Sequence, residues 1–380
     1  MHRLLYISPT AFDYSNLNGV PKKILNQSRA FVGFGYEVDI LSYHEGKITL
    51  SHVKEMTREV SYNGKSKTDV LRIVPKVIKG YDYVYIRYPM SDFFLLRALK
   101  SIKREGIPIV LEIPTYPYDS EGKESLKGRI VMALDRFYRS KIHRYVDRVC
   151  TYSDDKSIFD IPAINTINGY DFSSVQADFT DVDTKKCINL IAVSNMWPLH
   201  GYDRLIKGLG DYYTSGGDRD IVLHIVGSGY VEKEWKELST TLGLQKHVVF
   251  HGKVFGKDLM NLYKGQAMGV NSLAIHRDNL VNESTLKTKE YAALGLPIIS
   301  SSYVDAFSVP GNNLYTLRVP ADETNINVAD LIKFVDTLYG SRAIADLRKA
   351  IRSDGKAVCD MPVTLHPVYE FYENQKRLIR

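Results

Sequence analysis

A polar segment that runs into a short helical pattern carries the residues best suited to chemistry. Residues 282–300 read as a polar loop, a helix with an Ala/Leu face, a glycine stop and an apolar strand. Ser284 or Thr285 can cap this helix, and Gly295 stands where a left-handed C-terminal cap is expected. The unpaired N–H groups of the first turn and the helix dipole favour negative charge. The segment therefore predicts an anion site at the start of the helix.

Two charged side chains on the same helix extend this prediction from phosphate to sugar. Lys287 stands in the first turn, where its ammonium group would add positive charge beside a phosphate. Glu290 follows one turn later, and its carboxylate can accept hydrogen bonds from sugar hydroxyls. Together they indicate a nucleotide-sugar site. Many α/β proteins have the same polar start and Gly-Leu-Pro turn without any ligand, so this segment alone leaves both interpretations open.

The elements that would position these residues form two series. Short β-branched runs alternate with amphipathic stretches along most of the chain, which predicts an α/β fold of parallel sheets covered by helices. With 380 residues the chain is too long for one ordinary core. We expect two doubly wound, Rossmann-like domains, residues 1–180 and 187–362, facing across a ligand cleft, with a helix over 363–380 returning to the first domain.

The predicted elements are placed by apolar periodicity and turn residues. Strands are expected in the first half at 4–8, 37–42, 83–87, 108–113 and 148–152, with helices near 20–34, 91–105 and 124–145. Strands are expected in the second half at 188–195, 221–226, 248–251, 268–272 and 297–301. The polar, acidic stretch 171–186 is interpreted as the linker.

Composition restricts the class of protein. The net charge of +6 is too small to argue for nucleic acid, and no nucleic-acid motif accompanies it. We find neither a signal-peptide pattern nor an apolar run that could span a bilayer. The cysteines Cys150, Cys187 and Cys359 are scattered and suit neither a disulfide framework nor a metal cluster. We therefore expect a cytoplasmic protein without a metal or cofactor.

Four loops of the second half follow predicted strands, at the edge where parallel sheets bind ligands. Gly227 and Gly229 would allow a ligand to approach the backbone closely, although a Gly-Ser-Gly run can equally be only a tight turn. Basic or polar side chains in these loops could bind a diphosphate, although each could also serve an ordinary helix start or solvated face. The donor-site candidates are Gly19, Asn195, His200, Arg204, Gly227, Gly229, Val254, Arg277, Thr285, Leu286 and Glu290.

Taken together, these motifs resemble a known family over nearly the whole chain. The segments that carry the resemblance are the Gly19-Val20 loop, 83–89, 111–121, 168–171, 200–204, 272–277 and 284–291. The chain resembles a GT-B-fold retaining glycosyltransferase of family 4 (glycosyl transferases group 1), in the branch that builds bacterial surface polysaccharides. The resemblance implies metal-independent transfer of a sugar from a nucleoside-diphosphate donor, with uridine expected over guanosine, to a saccharide or lipid-linked acceptor.

The resemblance also assigns roles to the helix and the loop before it. The second of the family's two glutamates falls on Glu290, which would hold the ribose. The first, which contacts the donor sugar, falls eight positions earlier on Asn282, one step from Glu283. The chain departs from the family pattern at this position. Glu283, Asn282 and Lys287 are therefore the candidates for the catalytic centre.

Further departures concern the diphosphate and the first domain. The family's Arg and Lys that clamp the diphosphate fall on Asn195 and His200, so Lys287, Arg204 or Arg277 would supply the missing charge. The family's histidine after the fourth strand is replaced by the Pro114-Thr115 region. The acceptor-site candidates in the first domain are Arg87, Glu112, Thr115, Tyr116 and Tyr118. No general base is assigned, because in this family's mechanism the leaving phosphate itself can take the acceptor proton.

A basic helix within residues 124–145 leaves two interpretations open. Leu126, Ile130, Leu134 and Phe137 can share one face, while the basic residues Lys127, Arg136, Arg139, Lys141 and Arg144 lie mostly elsewhere. Such a helix could make peripheral contact with the anionic inner membrane. It could equally pack its apolar stripe on the sheet.

Two other functions remain compatible with the sequence. A nucleotide-sugar epimerase could use the same fold, although acids and histidines for proton removal cannot be placed. A non-catalytic sugar-nucleotide-binding partner of an assembly complex stays open as an alternative because of the departures at Asn282, Asn195 and His200.

Overall fold

The computed structural model describes residues 2–12, 19–54, 57–118, 125–177, 179, 182–280, 283–307 and 314–379. The chain divides into two compact units, unit 1 formed by Met1–Gly169 and Met361–Arg380, and unit 2 formed by Tyr170–Asp360. Within these described residues, no helix combines the length and the apolar character needed to cross a membrane.

Unit 2 begins earlier than the sequence predicts. The stretch interpreted as a linker starts with residues that pack inside unit 2, because Phe172 is fully buried. Arg352 holds this segment by donating a hydrogen bond to the Phe172 carbonyl at 2.6 Å. The Tyr170 N–H donates to the Cys359 carbonyl at 2.9 Å, which ties the start of the unit to its end. The boundary therefore falls after Gly169 rather than near residue 180.

Unit 1 is built on a nine-stranded sheet with the order β4-β3-β2-β1-β5-β6-β7-β9-β8. Its strands are β1 His2–Ala11, β2 Tyr36–His44, β3 Lys47–His52, β4 Thr57–Asn63, β5 Tyr83–Arg87, β6 Ile109–Ile113, β7 Arg148–Thr151, β8 Ser157–Ile158 and β9 Ile161–Asn165. Its helices are α1 Gly19–Gly33, α2 Lys67–Val77, α3 Phe93–Arg104 and α4 Leu126–Arg139, together with α11 Met361–Ile379. The central strands are parallel, and β3 and β4 add an antiparallel edge that the sequence did not predict.

Local chemistry explains where the unit 1 helices begin. Asp92 precedes α3 and accepts a hydrogen bond from the Leu95 N–H at 2.8 Å, and Ser125 does the same for α4. Helices α2, α3 and α4 contribute to the apolar core on one face of the sheet. Helices α1 and α11 contribute to the core on the other face. The sheet is therefore covered on both faces, as parallel strands require.

Unit 2 is a six-stranded parallel sheet with the order β12-β11-β10-β13-β14-β15. Its strands are β10 Cys187–Val193, β11 Asp220–Val226, β12 Val248–Gly252, β13 Met268–Val270, β14 Ile298–Ser300 and β15 Thr316–Arg318. Its helices are α5 Tyr202–Thr214, α6 Glu232–Thr241, α7 Gly256–Tyr263, α8 Leu286–Ala293, α9 Val328–Gly340 and α10 Ile344–Cys359. The predicted α/β class with two parallel-sheet domains is confirmed. The strand order reverses between β10 and β13, which makes their carboxyl ends the expected ligand site of this unit.

Candidate active site

The loops that follow β10 and β13 pack together at this reversal of strand order. The Leu273 N–H donates to the His200 carbonyl at 2.9 Å, and the Ala274 N–H donates to the Leu199 carbonyl at 3.1 Å. Gly201 directly follows His200 and has φ +59°, and a Cβ there would lie 2.5 Å from the Ala274 Cβ. Only glycine fits this position without displacement. The two loops therefore form one wall of the candidate site.

Glu283 is held at the carboxyl ends of β13 and β14 by neighbouring side chains. Its Oε1 accepts hydrogen bonds from Asn271 Nδ2 at 2.8 Å and from Ser302 Oγ at 3.2 Å. Its Oε2 accepts one from Ser272 Oγ at 3.1 Å. The structure thus brings one candidate for the missing glutamate into the site. The sequence interpretation missed Asn271 and Ser302, although the polar residues that directly follow two buried strands were a signal for them.

Lys287 lies beside this carboxylate. Its Nζ donates to Ser272 Oγ at 3.2 Å, the hydroxyl that also contacts Glu283. Burial lowers the pKa of Lys287 to about 8, against the opposing effect of the Glu283 carboxylate. The side chain therefore remains mostly protonated at neutral pH and offers a desolvated positive charge at the edge of the sheet.

The start of α8 has no hydroxyl cap on its amides among the described residues. Thr285 occupies the N-cap position, but its side chain accepts no hydrogen bond from the first turn. It donates instead to Asn271 Oδ1 at 3.3 Å. Ser284, the other predicted cap, donates to Asp305 Oδ2 at 2.5 Å and also accepts from Lys289 Nζ at 3.0 Å. The first-turn N–H groups consequently lack a hydroxyl cap, the arrangement that suits an anion.

His200 is a neutral hydrogen-bonding group rather than a source of charge. Burial and the nearby Lys287 ammonium lower the pKa of His200 to about 3. Its Nδ1 accepts a hydrogen bond from the Trp197 N–H at 3.1 Å, which assigns the proton of the neutral ring to Nε2. The ring can therefore donate one hydrogen bond, but it cannot replace the family's lysine as a cation.

The two arginines predicted to clamp a diphosphate are used inside the unit. Arg204 is fully buried, and it donates to the Thr324 carbonyl at 2.7 Å. Arg277 pairs with Asp203 Oδ1 at 2.8 Å and with Glu323 Oε2 at 2.6 Å. The structure corrects both donor-site assignments, because carbonyl and carboxylate groups of the protein itself satisfy these guanidinium groups.

Gly227 and Gly229 allow a close backbone approach, but to a neighbouring loop rather than to a ligand. A Cβ on Gly227, whose φ is +126°, would lie 1.9 Å from the Ser194 carbonyl oxygen. A Cβ on Gly229 would lie 2.4 Å from the Met196 nitrogen. These glycines fix the loop after β11 against the loop after β10, and the proposed direct contact with a ligand is corrected.

Gly227→Ala is expected to lower the free energy of unfolding of unit 2 by about 1–3 kcal/mol, because the new methyl group meets a fixed carbonyl in a strained conformation. Urea unfolding followed by the fluorescence of Trp197 and Trp235 measures the loss. Gly216→Ala is the matched control, since Gly216 also has positive φ, +85°, but has open space around its Cβ position. Equal losses in the two variants would contradict the close approach.

The remaining donor candidates differ in their burial and surroundings. Glu290 lies beside Tyr170 and Tyr263, where burial and its negative charge raise the pKa values of both hydroxyls. Asn195 is exposed after β10, Val254 is half-buried after β12, and Leu286 is the half-buried first residue of α8. Gly19 is exposed and opens α1 with φ +52°. Asn282 lies outside the described residues.

In unit 1 the predicted acceptor residues separate into buried and surface groups. Glu112 is fully buried and accepts from Gln27 Nε2 at 2.7 Å, Tyr152 at 2.5 Å and Arg87 Nη1 at 2.9 Å. Burial opposes ionisation of Glu112, but Lys23 and Arg87 lower its pKa to about 2. The structure corrects the assignment of Glu112 and Arg87 to direct acceptor contact, since they satisfy each other.

The other acceptor candidates follow β6. Tyr118 is buried and donates to Asp135 Oδ2 at 2.8 Å, so its hydroxyl is also used internally. Thr115 is exposed and Tyr116 is half-buried, so these two remain available to an acceptor. The sequence interpretation missed Lys23 and Gln27 of the buried network. Their spacing of four residues on the buried side of α1 was the signal for it.

Comparison with known proteins gives a family match for part of unit 2 and the fold of the chain. Residues 188–334 match the family model described as Glycosyl transferases group 1. No curated protein matches the sequence.

Solved structures are similar over almost the whole length. A glycosyltransferase from Rickettsia africae has 16% identity and a TM-score of 0.66, with 98% of each chain covered. HepE from Anabaena, solved with UDP, has 13% identity and a TM-score of 0.63, covering 98% of this chain and 100% of that one. Sucrose-phosphate synthase from Thermosynechococcus elongatus has 14% identity and a TM-score of 0.60, with 100% of both chains covered. Identities this low establish the shared fold, which is GT-B.

Proposed function

We propose that this GT-B glycosyltransferase, whose residues 188–334 carry the group 1 domain, transfers a sugar from UDP-sugar with retention of configuration. The proposed acceptor is a saccharide or lipid-linked saccharide in surface-polysaccharide biosynthesis, and the proposed location is cytoplasmic. The observation that carries the donor assignment is the Lys287 ammonium held 3.2 Å from Ser272 Oγ, at the start of α8 and beside Glu283.

The leaving diphosphate is the group that this cluster suits best. Transfer passes through an oxocarbenium-like transition state in which negative charge grows on the departing phosphate. Fixed positive groups aimed at that charge give the largest rate gain, since they need no reorganisation during the reaction. Lys287 supplies a full charge, the first turn of α8 supplies oriented N–H groups, and His200 supplies one neutral donor through Nε2. This charge also supports the proposal that the reaction is independent of a metal.

We assign contact with the donor sugar to Glu283. Its carboxylate is held by Asn271, Ser272 and Ser302, so it can accept sugar hydroxyls without losing its position. Glu290 remains the candidate for the ribose. In this role its carboxylate would leave the hydroxyls of Tyr170 and Tyr263 and accept hydrogen bonds from the ribose hydroxyls instead. Thr115 and Tyr116 are the remaining candidates for the acceptor. Uridine is favoured because the structurally similar HepE was solved with UDP.

A panel of nucleotides tests the donor assignment. We expect UDP to raise the melting temperature more than GDP or ADP, because uridine is the proposed base of the donor. A ligand present at 100 times its Kd stabilises the folded form by about 2.7 kcal/mol. Incubation with UDP-sugars should then release UDP, slowly with water and faster with a suitable acceptor.

Three outcomes contradict the proposal and separate it from the alternatives. An isomeric nucleotide sugar formed without UDP release indicates an epimerase. Binding without turnover in every acceptor context indicates a sensor. No stabilisation by any nucleotide removes the donor site altogether.

A further inference from the structure

Unit 1 and unit 2 each expose large apolar side chains. On α4 of unit 1 these form the stripe predicted from its sequence, so the interpretation in which that stripe packs on the sheet is wrong; its members are Leu126, Ile130, Leu134 and Phe137. Peripheral contact of this stripe with a membrane stays a prediction. In unit 2 the exposed aromatic side chains include Trp197, 52% exposed, and Tyr230, 80% exposed. Large aromatic side chains that lie together at the surface, unlike scattered apolar residues, indicate a binding site.

Trp197 and Tyr230 lie side by side although they come from different loops. Trp197 is in the loop after β10, and Tyr230 is in the loop after β11. Their ring centroids are 6.1 Å apart, and the ring planes are inclined by only 14°. This nearly parallel arrangement is favourable between aromatic rings. The exposure of the two side chains leaves most of both rings open to a ligand.

Backbone hydrogen bonds between the two loops hold the rings in place. The Met196 N–H donates to the Ser228 carbonyl at 3.2 Å, and the Val231 N–H donates to the Met196 carbonyl at 3.3 Å. Met196 directly precedes Trp197, and Val231 directly follows Tyr230. Both are buried, which anchors the two loops in unit 2. The pair is therefore preorganised, and a ligand would lose little free energy in ordering it.

The pair borders the candidate active site. The Trp197 N–H donates to Nδ1 of His200 at 3.1 Å. After burial, the Lys287 ammonium is the second cause of the lowered pKa of His200, so this lysine lies close to the same imidazole. A group bound on the rings would therefore lie beside the residues assigned to the leaving diphosphate.

The chemistry of both loops selects a neutral saccharide as the occupant. Residues 194–199 and 227–230 contain no charged side chain, so they offer no partner to a charged group. One face of a pyranose ring carries weakly positive C–H groups, which pack on the negative face of an aromatic ring. The sugar hydroxyls at the ring edge can bond the Tyr230 hydroxyl, the indole N–H of Trp197 and the exposed Asn195.

We propose that the Trp197–Tyr230 pair is a stacking platform for a pyranose ring of the saccharide acceptor. The proposal deepens the proposed function and rests on it, because the saccharide acceptor belongs to that function. It assigns an acceptor contact to unit 2, whereas the acceptor candidates from the sequence all belong to unit 1.

Saccharide binding by the full chain tests the platform. The purified protein, without donor, is applied to an array of immobilised neutral oligosaccharides built from glucose, galactose, rhamnose or N-acetylglucosamine. The oligosaccharide that binds best is then titrated into the protein while tryptophan fluorescence is recorded. Trp235 is buried, so we expect the response to come from Trp197, as a saturable shift to shorter wavelength.

Removal of either ring should weaken binding. Tyr230→Ala is expected to raise the Kd for that oligosaccharide by at least about tenfold, the usual effect of truncating an aromatic anchor. Tyr230→Phe keeps the ring and should bind nearly as tightly as wild type, whereas Trp197→Ala should lose binding to the array. Phe137→Ala removes an aromatic ring of unit 1 that is 58% exposed, and it should leave saccharide binding unchanged. Equal melting temperatures show that the variants remain folded.

The possible results separate the platform from the donor site. The platform is overturned if no oligosaccharide binds, or if Tyr230→Ala binds as tightly as wild type. It is also overturned if Tyr230→Ala loses affinity for UDP rather than for the oligosaccharide, since the rings would then serve the base of the donor. Stabilisation by UDP without saccharide binding removes the platform alone and leaves the donor assignment intact. Saccharide binding without stabilisation by any nucleotide supports the platform and contradicts the donor assignment.

Discussion

Replacing Lys287 by Met is expected to lower the rate of sugar transfer by about 100–1000-fold, the usual effect of removing one group that stabilises transition-state charge. Met keeps most of the aliphatic side chain, so the packing around the start of α8 changes little. The ammonium is lost from its position 3.2 Å from Ser272 Oγ, beside the candidate site of the departing diphosphate. Single-turnover rates with UDP-sugar and acceptor measure the effect on the chemical step.

The pH profile distinguishes this role from a structural one. The protonated form of Lys287 favours a diphosphate, and its pKa in the folded protein is about 8. UDP affinity should therefore fall as the pH rises through about 8, and Lys287→Met should remove that dependence. Lys236→Met, at a half-exposed lysine of α6 that pairs with Glu232, is the matched control. A transfer rate in Lys287→Met close to that of the control would end the assignment.

Glu112→Ala is expected to destabilise unit 1 by about 3–5 kcal/mol, the typical effect of breaking a buried ion pair. The substitution leaves the buried Lys23 and the half-buried Arg87 without the carboxylate that both approach, at 3.6 Å and 2.9 Å respectively. Hydrogen–deuterium exchange of peptides that cover β6 and β7 measures the change within unit 1, since both tryptophans belong to unit 2.

An exposed ion pair provides the comparison for Glu112. Glu323 contacts Arg277 at 2.6 Å but its side chain is 62% exposed, so Glu323→Ala should have an effect below about 1 kcal/mol. The effect of Glu112 also depends on pH. The pKa of Glu112 is about 2 in the folded protein against its ordinary value of 4.5, so wild type should lose this stabilisation as the pH falls from 4.5 towards 2. Equal exchange in Glu112→Ala and wild type would contradict the buried network.

The local features of this protein follow from its sequence. Five of the six parallel strands of unit 2 were predicted, because short apolar runs and their flanking turns are properties of neighbouring residues; β15 was not predicted. The end of α8 was predicted for the same reason, and Gly295 indeed has φ +71°. The positively charged helix start was also recognised from Lys287 and the polar residues before it. Such signals depend on a few consecutive positions, so they can be recognised without knowing which distant residues these positions contact in the folded protein.

The roles of individual charged residues were decided by tertiary structure. Arg204 meets Thr324 and Arg277 meets Glu323, partners far along the chain that no spacing rule identifies. Gly227 faces the backbone of Ser194 for the same reason. A guanidinium group or a glycine has the same local sequence signal whether it serves a ligand or the protein, because the partner that satisfies it comes from another element.

Helix α4 shows most clearly which features the sequence determines and which the tertiary structure decides. Its sequence determined that an apolar stripe and a basic surface share one helix, because side chains repeat every 3.6 residues. It could not determine which side faces the sheet. Burial of Asp135 against the Ser91 N–H and the Tyr118 hydroxyl fixed that choice, since a buried carboxylate must keep its donors. The tertiary hydrogen bonds of one acidic residue thus decided that the stripe faces outward.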